Sequence, residues 1–527
     1  MLSRLLRSFC IILAFLVTIV SAAQNKTNAR VRLKKNEIDG RAILKTEMLN
    51  KGSTTYIIRY SYDLEGKVLI VPHGCNLVFK YKGSISNGEI VFSDTWLRGE
   101  KFYNIRSARG TLLNKSFDAA RYGFVNDTDQ LKFLLSQAKE GFSLKLESKT
   151  YHINSLKGVS RVRYDSAFAP FVRLTDVSII GKNTVIEDSA SKSLIGNYLY
   201  SLLQFDACKN VVLKGITYKW SEEATLHPKV EGIVFLRTFN ECSAFNVNVS
   251  VINAGRGVYS GRWNDQGDPG RGICDSKLSI VADHVGYPIA IEKGDGLDIR
   301  NFFAYAHRGT YLAGVTNSNV YVEGKEAYST KVNLLLTDSF DKNGCYFCDG
   351  IKATVVDTGS KEMMNTVIMA QCKTYPQTYE QFKGRDPYYV KGIDIQVFTP
   401  KESSTSYEGF LFSDLAQIGD AMNIAVSGTM MDSGKNSRLT RLNAVPKGRV
   451  TFQSVQSPCN YIIINSDIPD DCTIIFDNCP NIAVSIPSQK RKTTGEIIFN
   501  DCSFLWNKVN DKAKTGIYPV IKWNGRD

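Results

Sequence analysis

Histidine and proline are scarce in this chain, at 5 and 14 residues of 527. So little proline, without any repeat built on it, excludes a collagen-like or proline-rich linker chain. The five histidines are scattered, and no Cys/His spacing of a zinc finger occurs. No recognition helix stands out either, so nucleic acid is not an expected partner. After residue 23 no apolar run is long enough to span a membrane as a helix. The twelve cysteines are too dispersed for a disulfide-held mini-fold. What is plentiful is glycine, 40 residues, and Tyr with Phe, 25 and 27. That mixture suits many strands punctuated by turns.

Residues 1–23 read as a secretory signal. Arg4 and Arg7 supply the positive end, Phe9 to Val20 the apolar run, and Ser21-Ala22-Ala23 the small residues for cleavage. Export is expected, to the periplasm or to the cell surface and medium. Loss of two arginines takes the formal charge from +13 to +11, which favours anionic partners. For an exported chain an acidic polysaccharide is the natural one.

Short alternating strands recur after residue 203. Asn210 to Thr217, Phe245 to Val251, Lys277 to Ile280, Leu297 to Arg300, Asn319 to Val322 and Ile351 to Val355 each precede or follow a polar turn. Leu278 to Leu297 spans 19 residues and Leu297 to Val320 spans 23, about one coil of three short strands and three turns. Cys208, Cys242, Cys274 and Cys479 each sit at a polar turn before a strand, as small side chains stacked from coil to coil would. Cys345-Tyr-Phe-Cys348 has redox-like spacing, without histidines near it for zinc. Upstream, Asp127 or Thr128 can start a helix over about 128–140, with Leu131, Phe133, Leu134 and Leu135 on its apolar side and Gly141 as the stop. Such a helix can cover the first coil of a stack.

Asp118-Ala-Ala-Arg-Tyr-Gly followed by Asn126-Asp-Thr-Asp-Gln-Leu resembles the entry motif of the pectin lyase-like right-handed parallel β-helix superfamily. Asp63-Leu-Glu-Gly-Lys, Ile70-Val-Pro-His-Gly-Cys and Ser86-Asn-Gly-Glu-Ile resemble the leader of its secreted Bacteroidetes members. The resemblance implies an all-β right-handed parallel β-helix over residues 117–527, with an N-terminal β leader over 24–116 and a capping helix. It leaves activity open among lyases, hydrolases, esterases, epimerases and tailspikes.

The residues that can carry chemistry cluster late. Asp298 and Arg300 alternate with Leu297 and Ile299, and so point outward on one face, with Tyr321 on the following coil. His284, Lys293, Asp295, Tyr305, His307 and Arg308 surround them. A lyase acting on a uronic acid needs a cation to neutralise the carboxylate, for which Arg300, Arg308 or Lys293 would serve. It also needs a base, for which His284, His307, Tyr305 or Lys293 would serve. A hydrolase needs two carboxylates, and Asp295 with Asp298 is the pair at hand. The polygalacturonase set of Asn-x-Asp, paired Asp, Gly-His-Gly and Arg-x-Lys has no match. The polar loop 255–272 holds Tyr259, Arg262 and Trp263, which could stack on or bind sugar. The main expectation is an exported lyase that cleaves an acidic polysaccharide by β-elimination, with calcium as the one cofactor to test. The alternatives are a glycoside hydrolase and a non-catalytic glycan-binding surface protein.

Overall fold

The computed structural model describes residues 29–525 except 39, 164–165, 197, 222–231, 262–271, 328–331, 338, 342–343, 347, 359–364, 370–390, 400–407, 413–421, 431–437, 443–447, 457–459, 465–467, 469, 471, 486–491 and 508–519. The expected signal, Arg262 and Trp263 lie outside the described residues. The chain divides into two units, residues 1–137 and 138–527. No described helix is long and apolar enough to cross a membrane.

In the first unit, alternating sequence becomes half-buried strand. Thr55–Ile58 and Asn76–Phe79 bury every second residue. They pair in parallel, so that Tyr56, Leu77 and Leu97 stand one above another. A second parallel ladder aligns Ala42, Tyr62, Ile85 and Phe102. Asn87 turns a corner between ladders at φ +58, inside the strand Ser84–Arg98. Its amide donates to Asp63 Oδ2 at 2.9 Å. The helix runs Asp127–Ser136 and is capped by Asn126, whose side chain accepts from the Asp129 amide. It stops before Gly141. The next side chain, Gln137, is bonded to the Leu112 amide at 2.8 Å and the Gly110 carbonyl at 3.0 Å. Phe133 stacks on Phe92 and Phe124.

The second unit is a run of parallel rungs. One ladder aligns Ile179, Leu213, Val247, Leu278, Ile299, Val320 and Ala353, all buried. A second aligns Leu203, Leu236, Val258, Ile289, Thr310 and Leu334. A third aligns Ile186, Tyr218, Val251, Ala282, Phe303 and Gly324. The inward rows of the three ladders enclose the core. Late in the chain Phe452, Phe476, Phe499 and Trp523 stack face to face, with centroids 5.0, 5.2 and 4.7 Å apart.

The expectation of a right-handed parallel β-helix, entered through a β leader and sealed by a capping helix, is corrected on these facts. Residues 30–112 are mostly parallel ladders themselves, with one antiparallel pair, Glu37–Ile38 with Arg41–Ile43. The helix packs within the first unit. The repeat is irregular as well. The first ladder of the second unit advances by 34, 34, 31, 21, 21 and 33 residues, from Ile179 to Ala353. Leu278 lies opposite Ile299, not Leu297. Leu297 and Ile299 both point inward, so sequence alternation alone could not choose between them.

Candidate functional site: an arginine and tyrosine face

The expected site residues separate into three places. Asp295 belongs to a corner, where Thr316 Oγ1 and the Asn317 amide donate to it at 2.6 and 2.8 Å. Asp298 and Arg300 lie on an exposed strand face, 3.9 Å apart. Tyr321 is in register with Arg300, packs on Phe302 and donates to Glu323 at 2.8 Å. That bond and partial burial push its phenol above the usual range, with burial the larger cause. Asp295 and Asp298 thus sit in different surroundings, one tied into a corner and one on a strand. His284 stands at a corner with φ +52, bonded to Asp283 at 2.9 Å and tilted against Tyr305, centroids 4.9 Å apart. Lys293 is buried, also with positive φ.

The third place is denser. Gln204, Arg237, Tyr259, Ala290 and Tyr311 occupy one register row across five successive strands. Ser201, Val234, Arg256 and Tyr287 form the neighbouring row. The Arg256 guanidinium lies 4.0 Å above the Tyr259 ring and 5.3 Å from that of Tyr287. Arg237 lies 4.3 Å from the Phe239 ring and 5.4 Å from that of Tyr259. Arg308 lies 5.7 Å from the Tyr287 ring. Tyr287 also meets His307 and Tyr311 edge to face, at 5.6 and 6.1 Å. Tyr259 Oη donates to Glu292 Oε1 at 3.3 Å. Beside it a shallow cleft is lined by Thr238, Phe239, Asn240, Ser260, Gly261, Gly272 and Glu292.

The electrostatics of this face turn on Arg256. It is 8% exposed, and its Nε has no hydrogen-bond partner. Among the described residues no carboxylate pairs with it, so its charge rests on the π-faces of two tyrosines. A buried cation without an anion is costly, and ring quadrupoles offset only part of that cost. The Gln204 Oε1 in the adjoining row is likewise buried without a partner. Arg308 and Tyr311 are half-buried and form the more open end.

Of the residues expected from sequence, the structure brings Tyr259, His307 and Arg308 to this face. Tyr287, which neighbours His284 and Lys293 in the expected cluster, lies here as well, whereas Arg237, Arg256, Tyr311 and Glu292 were missed. Gly255-Arg-Gly-Val-Tyr-Ser reads as the start of a glycine-rich loop, but Arg256–Ser260 is a buried strand. Gly257 permits it, since a Cβ there would meet the Pro288 carbonyl oxygen at 2.4 Å. The alternating Arg256, Val258 and Ser260 were the signal available. Among the described residues no group of three or more His, Cys, Asp or Glu could hold a metal ion.

No protein-family model and no curated protein matches this chain. Two of the solved structures similar to it illustrate the range. One is the catalytic domain of a GH87 alpha-1,3-glucanase in complex with nigerose, at 10% identity and a TM-score of 0.21, covering 88% of this chain and 69% of that one. The other is a family 28 exopolygalacturonase of Yersinia enterocolitica, at 11% identity and a TM-score of 0.14, covering 95% and 78%. Likenesses this weak carry no argument. The resemblance to the pectin lyase-like superfamily is corrected accordingly. No family model supports it.

Proposed function

We propose that this chain is an exported protein that binds an acidic, uronic-acid-containing glycan on the face formed by Arg237, Arg256, Arg308, Tyr259, Tyr287 and Tyr311. The observation that carries the reading is Arg256, a buried guanidinium set on two tyrosine rings with no carboxylate of its own. A sugar carboxylate supplies the missing charge, and the Tyr311 ring, half-buried at the open end, supplies flat apolar surface for a sugar face. Arg308 and Tyr311, at the open end, extend the same chemistry to the next residue of the polymer.

The test is binding of a polyuronate and of a neutral glucan, measured by calorimetry. The polyuronate is expected to bind, and Arg256→Met to weaken it about ten- to a hundredfold, the worth of a charge-assisted hydrogen bond. Without glycan the same variant is expected to melt higher than the parent, because it removes a buried unpaired charge. Equal affinity for both glycans, or an Arg256→Met protein that binds polyuronate unchanged, overturns the reading.

Cleavage by β-elimination is the second reading. It is favoured by one observation: Arg256 stands against Tyr259, whose hydroxyl donates to Glu292. The guanidinium would neutralise the carboxylate; with the Tyr259 proton passed to Glu292, the phenolate would take the C5 proton as the C4–oxygen bond breaks and the departing sugar oxygen takes up a proton. Ultraviolet absorbance from unsaturated ends, with and without calcium, tests it. Reducing ends released without that absorbance would mean hydrolysis instead.

A further inference from the structure

Four cysteine thiols occupy one repeated position. The Sγ atoms of Cys208, Cys242, Cys479 and Cys502 each donate to a carbonyl of their own rung and to one of the rung before. For Cys479 these acceptors are Asp477 at 3.4 Å and Phe452 at 3.4 Å. For Cys502 they are Asn500 at 3.2 Å and Phe476 at 3.3 Å. Phe452 pairs with Phe476, and Asp477 with Asn500. Cys479 and Cys502 therefore repeat the same site one rung apart. Each lies two residues past the paired Asp477 and Asn500. Parallel strands hold such positions about 4.8 Å apart, inside the Cα separation a disulfide needs.

We propose that Cys479 and Cys502 are a disulfide site that cross-links two neighbouring rungs. The proximity of the two thiols pulls the Cys502 thiol below its ordinary range and pushes that of Cys479 above it. Cys502 is also the half-exposed member, and Cys479 is fully buried. Cys502 thiolate attacks one sulfur of a low-molecular-weight disulfide, giving a mixed disulfide and releasing one thiolate. Cys479 then loses its proton to that thiolate and attacks the Cys502 sulfur, and a second small thiolate leaves. Two cysteine thiols are oxidised and one small disulfide is reduced to two thiols. Cys208 and Cys242 provide a control within the chain: both are 0% exposed, so neither offers an entry for the oxidant.

The experiment incubates the native full chain with oxidised glutathione, then maps peptides by mass spectrometry after blocking free thiols. The expected result is one cross-linked peptide pair, 479 with 502, with Cys208 and Cys242 still blocked as thiols. The cross-linked protein is expected to melt above its reduced form, and Cys502→Ser to remove both the cross-link and that gain. A stable glutathione adduct on Cys502 without a cross-link overturns the proposal. So does a cross-link distributed equally over the Cys208 and Cys242 pair. Neither readout depends on whether the glycan reading holds.

Discussion

Asp188 shows how one residue is fixed by the rung it sits on. It is 0% exposed, and its carboxylate accepts from the amides of Ser155 and Ala190 at 3.0 Å and from Tyr218 Oη at 3.1 Å. Burial outweighs those bonds and raises its pKa above the ordinary 3.8. The folded state thus holds the Asp188 proton more tightly than the unfolded one. Its contribution is fully present below pH 3.8 and is lost as pH rises through the raised folded value. Asp188→Asn keeps the two backbone bonds and lets Tyr218 accept instead of donate. Thermal melts from pH 3 to 7 are expected to show the variant gaining on the parent as pH rises. A constant difference across that range would mean that Asp188 is an ordinary carboxylate. Asp188→Ala is expected to cost about 1–3 kcal/mol at pH 3, since it leaves buried donors unpaired, and less as pH rises.

At the scale of the element, corners decide where strands end. Gly181 and Gly215 face each other across adjacent rungs, and a Cβ on Gly215 would lie 2.3 Å from the Gly181 carbonyl oxygen. Gly215 also sits at φ +67, where an L side chain is strained. Gly215→Ala is expected to destabilise the second unit by about 1–3 kcal/mol or more, read as a lower denaturant midpoint with unchanged slope. The strands themselves were legible: Lys277 to Ile280, Asn319 to Val322 and Ile351 to Val355 all fall inside strands of the structure. Register was not. Leu297 and Ile299 have the same character and the same side, so the choice of Ile299 opposite Leu278 came from the corner at Asp295–Gly296, with Gly296 at φ +65. The helix was legible as well, but its end was set by Gln137 bonding back to Gly110 and Leu112, a contact made 25 or more residues away.

For the molecule as a whole, the net charge, +13 for the full chain and +11 without the expected signal, sets the long-range term. Polyuronate affinity is expected to fall steadily as sodium chloride is raised from 0.05 to about 0.5 M, as the Debye length shrinks. The loss caused by Arg256→Met should persist at every salt concentration, because a buried contact is screened far less than surface attraction. If the variant and the parent converge at high salt, Arg256 acts only through long-range charge. The sequence by itself determined that the chain would be built from short alternating strands with polar corners, with an amphipathic helix over about 128–140 that the structure places at Asp127–Ser136, because those signals are local and periodic. It also placed Tyr259, His307 and Arg308 among the candidates by residue type. Only the tertiary structure decided that Arg237 and Arg256 join them, that Asp295 is held in a corner, and that Cys479 and Cys502 repeat one site. Each of those facts is a vertical neighbour relation between rungs tens of residues apart. Rung lengths from 21 to 34 residues leave no fixed period from which such neighbours could be counted.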